Sequence, residues 1–241
     1  MNAIEIKGLH KTYHGVTAVE DLCLTVPEGC LFSLLGVNGA GKTTTIRMLT
    51  CLTAPDSGEA CVLGHSIRTE QAQVKALVNV SPQETAVAPY LTVRENLELI
   101  AGIYGSSRVK ADAAEVLERI GLDSVAERRA KTLSGGWQRR LSIAMALVSK
   151  PKLLFLDEPT LGLDVLARRE LWKLIESLKR EMTILLTTHY LEEAEALSDR
   201  VGVMNAGKLI AEGTVPALLA QTGKANLEEA FIALCGGGAA L

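Results

Sequence analysis

Gly36 to Thr44 reads GVNGAGKTT, a run in which three glycines, a lysine and two threonines follow an apolar stretch, CLFSLL, that ends at Leu35. Ile46, Leu49 and Leu52 then recur at a spacing that places them on one helical face. Strand, glycine-rich loop and helix in this order are the context that G-x-x-x-x-G-K-[ST] requires to work as a phosphate-binding loop. Glycine at 36, 39 and 41 lets successive backbone N–H groups converge on phosphate oxygens, and the helix N-terminus adds its partial positive charge. Gly36, Val37, Asn38, Gly39, Ala40, Gly41, Lys42, Thr43 and Thr44 are thereby assigned to a bound nucleotide. Lys42 is expected to reach the β- and γ-phosphates, and the Thr43 hydroxyl to serve Mg²⁺.

A second apolar run, LLFLDE, ends in an acidic pair at Asp157 and Glu158. A buried strand that delivers Asp157 at its carboxyl end places it opposite Thr43 as the second metal residue. Glu158 projects differently from the strand and is read as the general base for the attacking water. The guanine-reading N-K-x-D sequence does not occur.

Outward from these two motifs the chain alternates strand and helix patterns. Ile4 and Ile6, then Leu22, Leu24 and Val26, show period-2 spacing punctuated by His14-Gly15 and Glu28-Gly29, which suggests short antiparallel strands at a sheet edge. KALVNVSPQ reads as a strand broken by Pro82, and TILLTTH as a further buried strand. Residues 86–150 read as a mostly helical insertion: Thr92 and Glu95 form a capping-box pattern, and a helix over Val109 to Ile120 stops near Gly121. VLARRELWKLIESLKREM is an amphipathic helix with Trp172, Ile175, Leu178 and Met182 inward, and RVGVMNAGKLIAEG a hairpin turning near Asn205 to Gly207. The expected fold is α/β: a P-loop NTPase with a parallel core sheet, an N-terminal antiparallel portion, an inserted helical subdomain at 86–150 and a C-terminal tail at 225–241, its last residues GGGAAL loose.

Composition narrows the function. The chain has 241 residues, 48% of them apolar, and a net charge of −3. That balance lacks the basic footprint that attracts nucleic acid, so no direct nucleic-acid partner is expected. The five cysteines are an odd number without a close CxxC pair, which argues against a disulfide framework or a zinc site and fits a reducing cytosol. No apolar run reaches the roughly 18 residues of a spanning helix.

One motif remains. LSGG at Leu133 to Gly136 opens a second helix start, where the Ser134 hydroxyl and the unobstructed backbone N–H groups of Gly135 and Gly136 make another anion site. Standing alone, Ser134 could equally be an ordinary helix cap. GVNGAGKTT, LSGG and LLFLDEP in this order resemble the nucleotide-binding subunits of ATP-binding cassette (ABC) transporters over nearly the whole chain. The resemblance implies ATP and Mg²⁺ as ligands, and a head-to-tail dimer in which Ser134, Gly135 and Gly136 of one subunit cap the γ-phosphate held by the loop of the other. It further implies that Tyr13 stacks on adenine beside Val19. Gln83 would touch Mg²⁺ or the attacking water, and His189 would contact the γ-phosphate and align Glu158. Asp164 would communicate across the dimer. Where the family usually continues with glutamine, this chain has Trp137.

The resemblance also implies a cytoplasmic, membrane-peripheral ATPase subunit that drives a separate membrane-spanning permease, with contact around Gln83 to Tyr104. LTVRENLELIAGIYG and NLEEAFIAL resemble the branch that exports drugs, polysaccharides or haem. A translation or DNA-repair ATPase of the same superfamily is the alternative, and it usually brings tandem ATPase domains, coiled coils or basic arms.

Overall fold

The computed structural model describes residues 1–236. Strands β1 (Asn2–Tyr13) and β2 (Val16–Pro27) form an antiparallel hairpin, closed by His14 and Gly15, both with positive φ. This pair of left-handed residues gives the turn whose twist matches its strands. β3 (Leu31–Leu35) leads into α1 (Lys42–Leu49). β4 (Ser57–Val62) and β5 (His65–Ser66) follow, then α2 (Gln71–Leu77) and β6 (Val78–Ser81). The helices α3 (Val93–Ile103), α4 (Val109–Ile120) and α5 (Gly135–Leu147) separate β6 from β7 (Leu153–Asp157). After α6 (Val165–Lys179), β8 (Thr183–Thr188) and α7 (Leu191–Leu197) come the hairpin β9 (Arg200–Asn205) and β10 (Lys208–Gly213) and two helices, α8 (Val215–Thr222) and α9 (Leu227–Gly236).

Two sheets result. The smaller is antiparallel in the order β2-β1-β4-β5; the larger runs β10-β9-β3-β8-β7-β6, parallel except for β10. Every residue of β3, β7 and β8 is buried, as a parallel strand covered on both faces requires. One core fills the space between the two sheets around Phe32, Phe155, Ile46 and Met48. The other lies on the opposite face, where Leu154, Leu156, Ile184 and Leu186 meet the helices.

Several expectations are corrected here. The N-terminal strands are twelve residues long, and β1 is interior to its sheet because β4 pairs with its other side. Leu52 lies past the end of α1 and is 61% exposed, so it shares no buried face with Ile46 and Leu49. The inward face of α6 is Leu171, Leu174, Ile175 and Leu178, with Trp172 and Met182 only partly buried. The capping box is present: Thr92 Oγ1 accepts from Glu95 N at 3.1 Å, and Thr92 N donates to Glu95 Oε2 at 2.7 Å. α4 ends where Gly121 takes a left-handed φ of 69°, which glycine adopts without a Cβ penalty. Residues 225–236 include a packed helix, with Leu227 and Ala230 buried; the remainder of the GGGAAL stretch, 237–241, lies outside the described residues.

Candidate functional site

The parallel arrangement brings the carboxyl ends of β3, β7 and β8 side by side, where α/β sheets bind ligands. The loop after β3 bends through Gly39 (φ 83°) and Gly41 (φ 100°) into α1. A Cβ at Gly41 would stand 2.4 Å from the carbonyl oxygen of Ala18, so only glycine fits there. Lys42 is buried and donates from Nζ to Gly36 O at 2.7 Å and Val37 O at 3.1 Å. Its third partner is Glu158 Oε1 at 3.2 Å.

Asp157 and Glu158 are buried at the end of β7. Asp157 Oδ1 accepts from Thr43 Oγ1 at 3.1 Å and from Thr187 Oγ1. Burial pushes the Asp157 carboxyl above the usual carboxylate range, opposed by the hydrogen bonds from Thr187 and Thr43. Glu158 takes a left-handed φ of 46°, which interrupts the strand's alternation and lets it line the same cleft as the loop. Its N–H donates to both the carbonyl and the hydroxyl of Thr187, at 3.1 and 3.0 Å. Glu158 Oε2 lies 3.1 Å from His189 Nδ1. Both carboxylate oxygens are therefore held, one by Lys42 and one by His189.

The cleft has a volume of about 410 Å³ and is lined by Ala18, Asn38 to Thr44, Gln83, Glu158 and Leu161. Tyr13 is not among the lining residues: it is 37% exposed, with Lys11 Nζ 5.3 Å from its ring centroid. Val19 is fully buried in the core, and its neighbour Ala18 faces the cleft instead, because alternate residues of β2 point to opposite faces. Val37 is half exposed.

Ser134, Gly135 and Gly136 open α5 away from this cleft. Ser134 occupies the N-cap position, yet its side chain makes no capping hydrogen bond, and it and Gly135 are exposed. Trp137 packs partly into the helical core with the Arg140 guanidinium 5.5 Å from its ring centroid. Asp164 caps α6 by accepting from Ala167 N at 2.9 Å.

Sequence reading missed Thr187 and Arg139. Thr187 holds both members of the acidic pair, and the signal was a pair of polar residues, Thr187-Thr188, ending an otherwise apolar strand. Arg139 is buried and donates to the carbonyls of Pro82 and Gln83, both at 2.7 Å; no local pattern announces it.

Residues 19–161 match a family profile described as ABC transporter. The chain belongs to the ABC transporter family. It is 46% identical over 224 residues to the daunorubicin/doxorubicin resistance ATP-binding protein DrrA of Streptomyces peucetius, covering 92% of this chain and 68% of that one. The linearmycin resistance ATP-binding protein LnrL of Bacillus subtilis is 40% identical over 91% of this chain and 72% of its own length. Among solved structures, an ATP-binding subunit of an ABC transporter superposes with a TM-score of 0.84 at 30% identity, covering 96% of this chain and 99% of that one. A dimeric post-hydrolysis ATP-binding cassette bound to ADP and Pi superposes with a TM-score of 0.78 at 26% identity, over 88% of this chain and 98% of its own. The protein is thus an ABC ATPase subunit that binds and hydrolyses ATP. These relatives favour transport over translation or DNA repair. No helix among the described residues is long and apolar enough to cross a membrane.

Proposed function

We propose that the protein powers export of a small drug-like molecule through a separate membrane-spanning subunit, bound at the cytoplasmic face of the membrane. Two copies, or this chain and a similar one, would enclose two ATP molecules. The observation that carries the reading is the division of the site: Lys42, Thr43 and Glu158 line one cleft, with Asp157 bonded to Thr43 and His189 to Glu158, while Ser134 and Gly135 stand exposed outside it and the Ser134 side chain makes no capping bond. The two relatives named as resistance ATP-binding proteins, for daunorubicin/doxorubicin and for linearmycin, support the cargo class.

The whole chain acts as one ATP-binding domain, with 86–150 as its inserted helical part. The loop from Gly36 to Thr44 and Lys42 hold the phosphates, and Tyr13 would stack on the adenine of a nucleotide extending out of the cleft. Thr43 Oγ1 and Asp157 Oδ1, 3.1 Å apart, are hard oxygen donors of the kind Mg²⁺ takes when phosphate and water complete its shell. Gln83 lines the same cleft and is the third candidate ligand. Mg²⁺ bound there would neutralise developing phosphate charge. Phosphate arriving at Lys42 competes with the Glu158 carboxylate for the ammonium, freeing Glu158 to accept a proton from water while His189 holds its other oxygen. Ser134, Gly135 and Gly136 of the facing subunit would close the site with a second helix N-terminus, and Asp164 would border that interface.

Ser134→Arg tests the division. It is expected to abolish ATP hydrolysis while ATP binding to the single subunit stays within about twofold, since it blocks only the capping half. Loss of nucleotide binding by the isolated mutant subunit would refute the reading, as would hydrolysis at the wild-type rate.

A further inference from the structure

The backbone leaves the central sheet at Ser81, and Pro82 has no N–H with which to continue the ladder. Among the described residues, the only hydrogen bonds to the backbone of 82–86 come from Arg139, which donates Nη1 to Pro82 O and Nη2 to Gln83 O. Arg139 lies in the first turns of α5, five residues after Ser134, and is 4% exposed. One more link joins the same helix to the same strand, and another joins that strand to the turn just after the helix. Ser142 and Ser81 share a hydroxyl hydrogen bond at 2.8 Å, and Asn79 Nδ2 donates to Ser149 Oγ at 3.0 Å. A planar guanidinium suits two consecutive carbonyls better than any other side chain, because its donors are fixed in a fork. Burial pulls the Arg139 pKa below its ordinary value, and the fields of Asp157 and Glu193 oppose that shift only in part.

The geometry points to Arg139 as a positioning residue that sets Gln83 in the nucleotide cleft from the helix carrying Ser134–Gly136. The inference rests on the role proposed for Gln83 and adds a direction to it. Rotation of α5 when Ser134–Gly136 engage a facing nucleotide moves the Arg139 fork, which carries the Pro82 and Gln83 carbonyls and with them the Gln83 amide. A signature helix engaged at one site is thereby read out in the other cleft, the one its own chain builds.

Two readouts test it. Backbone order parameters from NMR relaxation in the nucleotide-free full chain report loop order without reference to catalysis. Arg139→Met, which leaves no unpaired polar group of its own, should lower the order parameters at Gln83 and Glu84 from the rigid range to below about 0.6 while β3 and β8 are unchanged. In the ATPase assay it should lower kcat about tenfold, with the KM for ATP within about twofold. Gln83→Ala should lower kcat too, and adding Arg139→Met to Gln83→Ala should cost less than about a further twofold, because Arg139 acts through Gln83. Arg139→Lys, which keeps a charge and donors, should restore part of both readouts. Unchanged order parameters at 83–84 overturn the clamp. Losses that multiply in the double variant overturn action through Gln83. A Gln83→Ala protein with wild-type turnover refutes the role of Gln83 in the proposed function and leaves the clamp nothing to set.

Discussion

Replacing Glu158 by glutamine removes one charge from a buried network and leaves its shape intact. Two effects follow, of opposite sign. The proposed general base is lost, which lowers turnover by about 10²- to 10⁴-fold, equivalent to roughly 3–5 kcal/mol on the barrier. At the same time Lys42 loses its ionic partner at 3.2 Å, between side chains only 4% and 7% exposed. A pair at that distance in an effective dielectric of about 20 attracts by roughly 5 kcal/mol before desolvation. Buried pairs return most of such attraction as desolvation. The residue of this balance is a gain in ATP affinity of about tenfold or less, since the ammonium no longer has to leave a carboxylate to meet phosphate. Steady-state ATPase measurements and ATP titration by calorimetry read the two effects separately. Scattering in the presence of ATP should further show that the variant accumulates as a dimer. Turnover within about tenfold of wild type would remove Glu158 from the role of base. An affinity that falls by more than tenfold would refute the competition for Lys42, and a variant that stays monomeric while hydrolysing normally would refute the two-subunit site.

Other consequences of the geometry are open to measurement. Burial holds the Asp157 carboxyl above its ordinary range, so the folded chain binds that proton more tightly than the unfolded chain and ionisation weakens the fold as pH rises through the folded value. Above the folded value the full cost is present; there Asp157→Asn should unfold at a higher temperature than wild type while losing hydrolysis, and the difference should vanish in acid. Gly41→Ala forces a Cβ against Ala18 O and an alanine into a φ of 100°, which should cost about 1–3 kcal/mol in denaturant titration and weaken ATP binding. Thr187→Val takes one hydroxyl from both acidic residues at a buried position and should destabilise by about 1–3 kcal/mol while lowering kcat more than it raises KM.

The parts of the fold that a reader of the sequence could see are those in which local chemistry and global packing agree. The glycine loop, the Thr92 capping box and the Gly121 stop are local devices, and each stands where its residues put it. β3, β7 and β8 were legible because a strand buried on both faces must be apolar throughout. Residues 55–77 carried no such signal: β4 alternates only weakly, and β5 is two residues long, held by its neighbours. The position of β1 inside its sheet was equally hidden, because a pairing partner more than forty residues away leaves no trace in local spacing. Within the site, motif residues were visible and their supports were not. Thr187 and Arg139 act by reaching across the fold, Arg139 to carbonyls more than fifty residues distant. Val19 shows the converse, since a motif placed it at the nucleotide and strand alternation turned it inward.

The left-handed backbone at Glu158 has an evolutionary corollary. A residue with a Cβ in that conformation costs about 1–2 kcal/mol relative to the ordinary regions, whereas glycine adopts it freely and asparagine nearly so. A descendant that replaces this glutamate with glycine or asparagine recovers that backbone cost but leaves the buried Lys42 ammonium without its carboxylate. Only bound phosphate can supply the missing charge, so degenerate copies that still bind nucleotide should tolerate such replacements where copies that bind none do not.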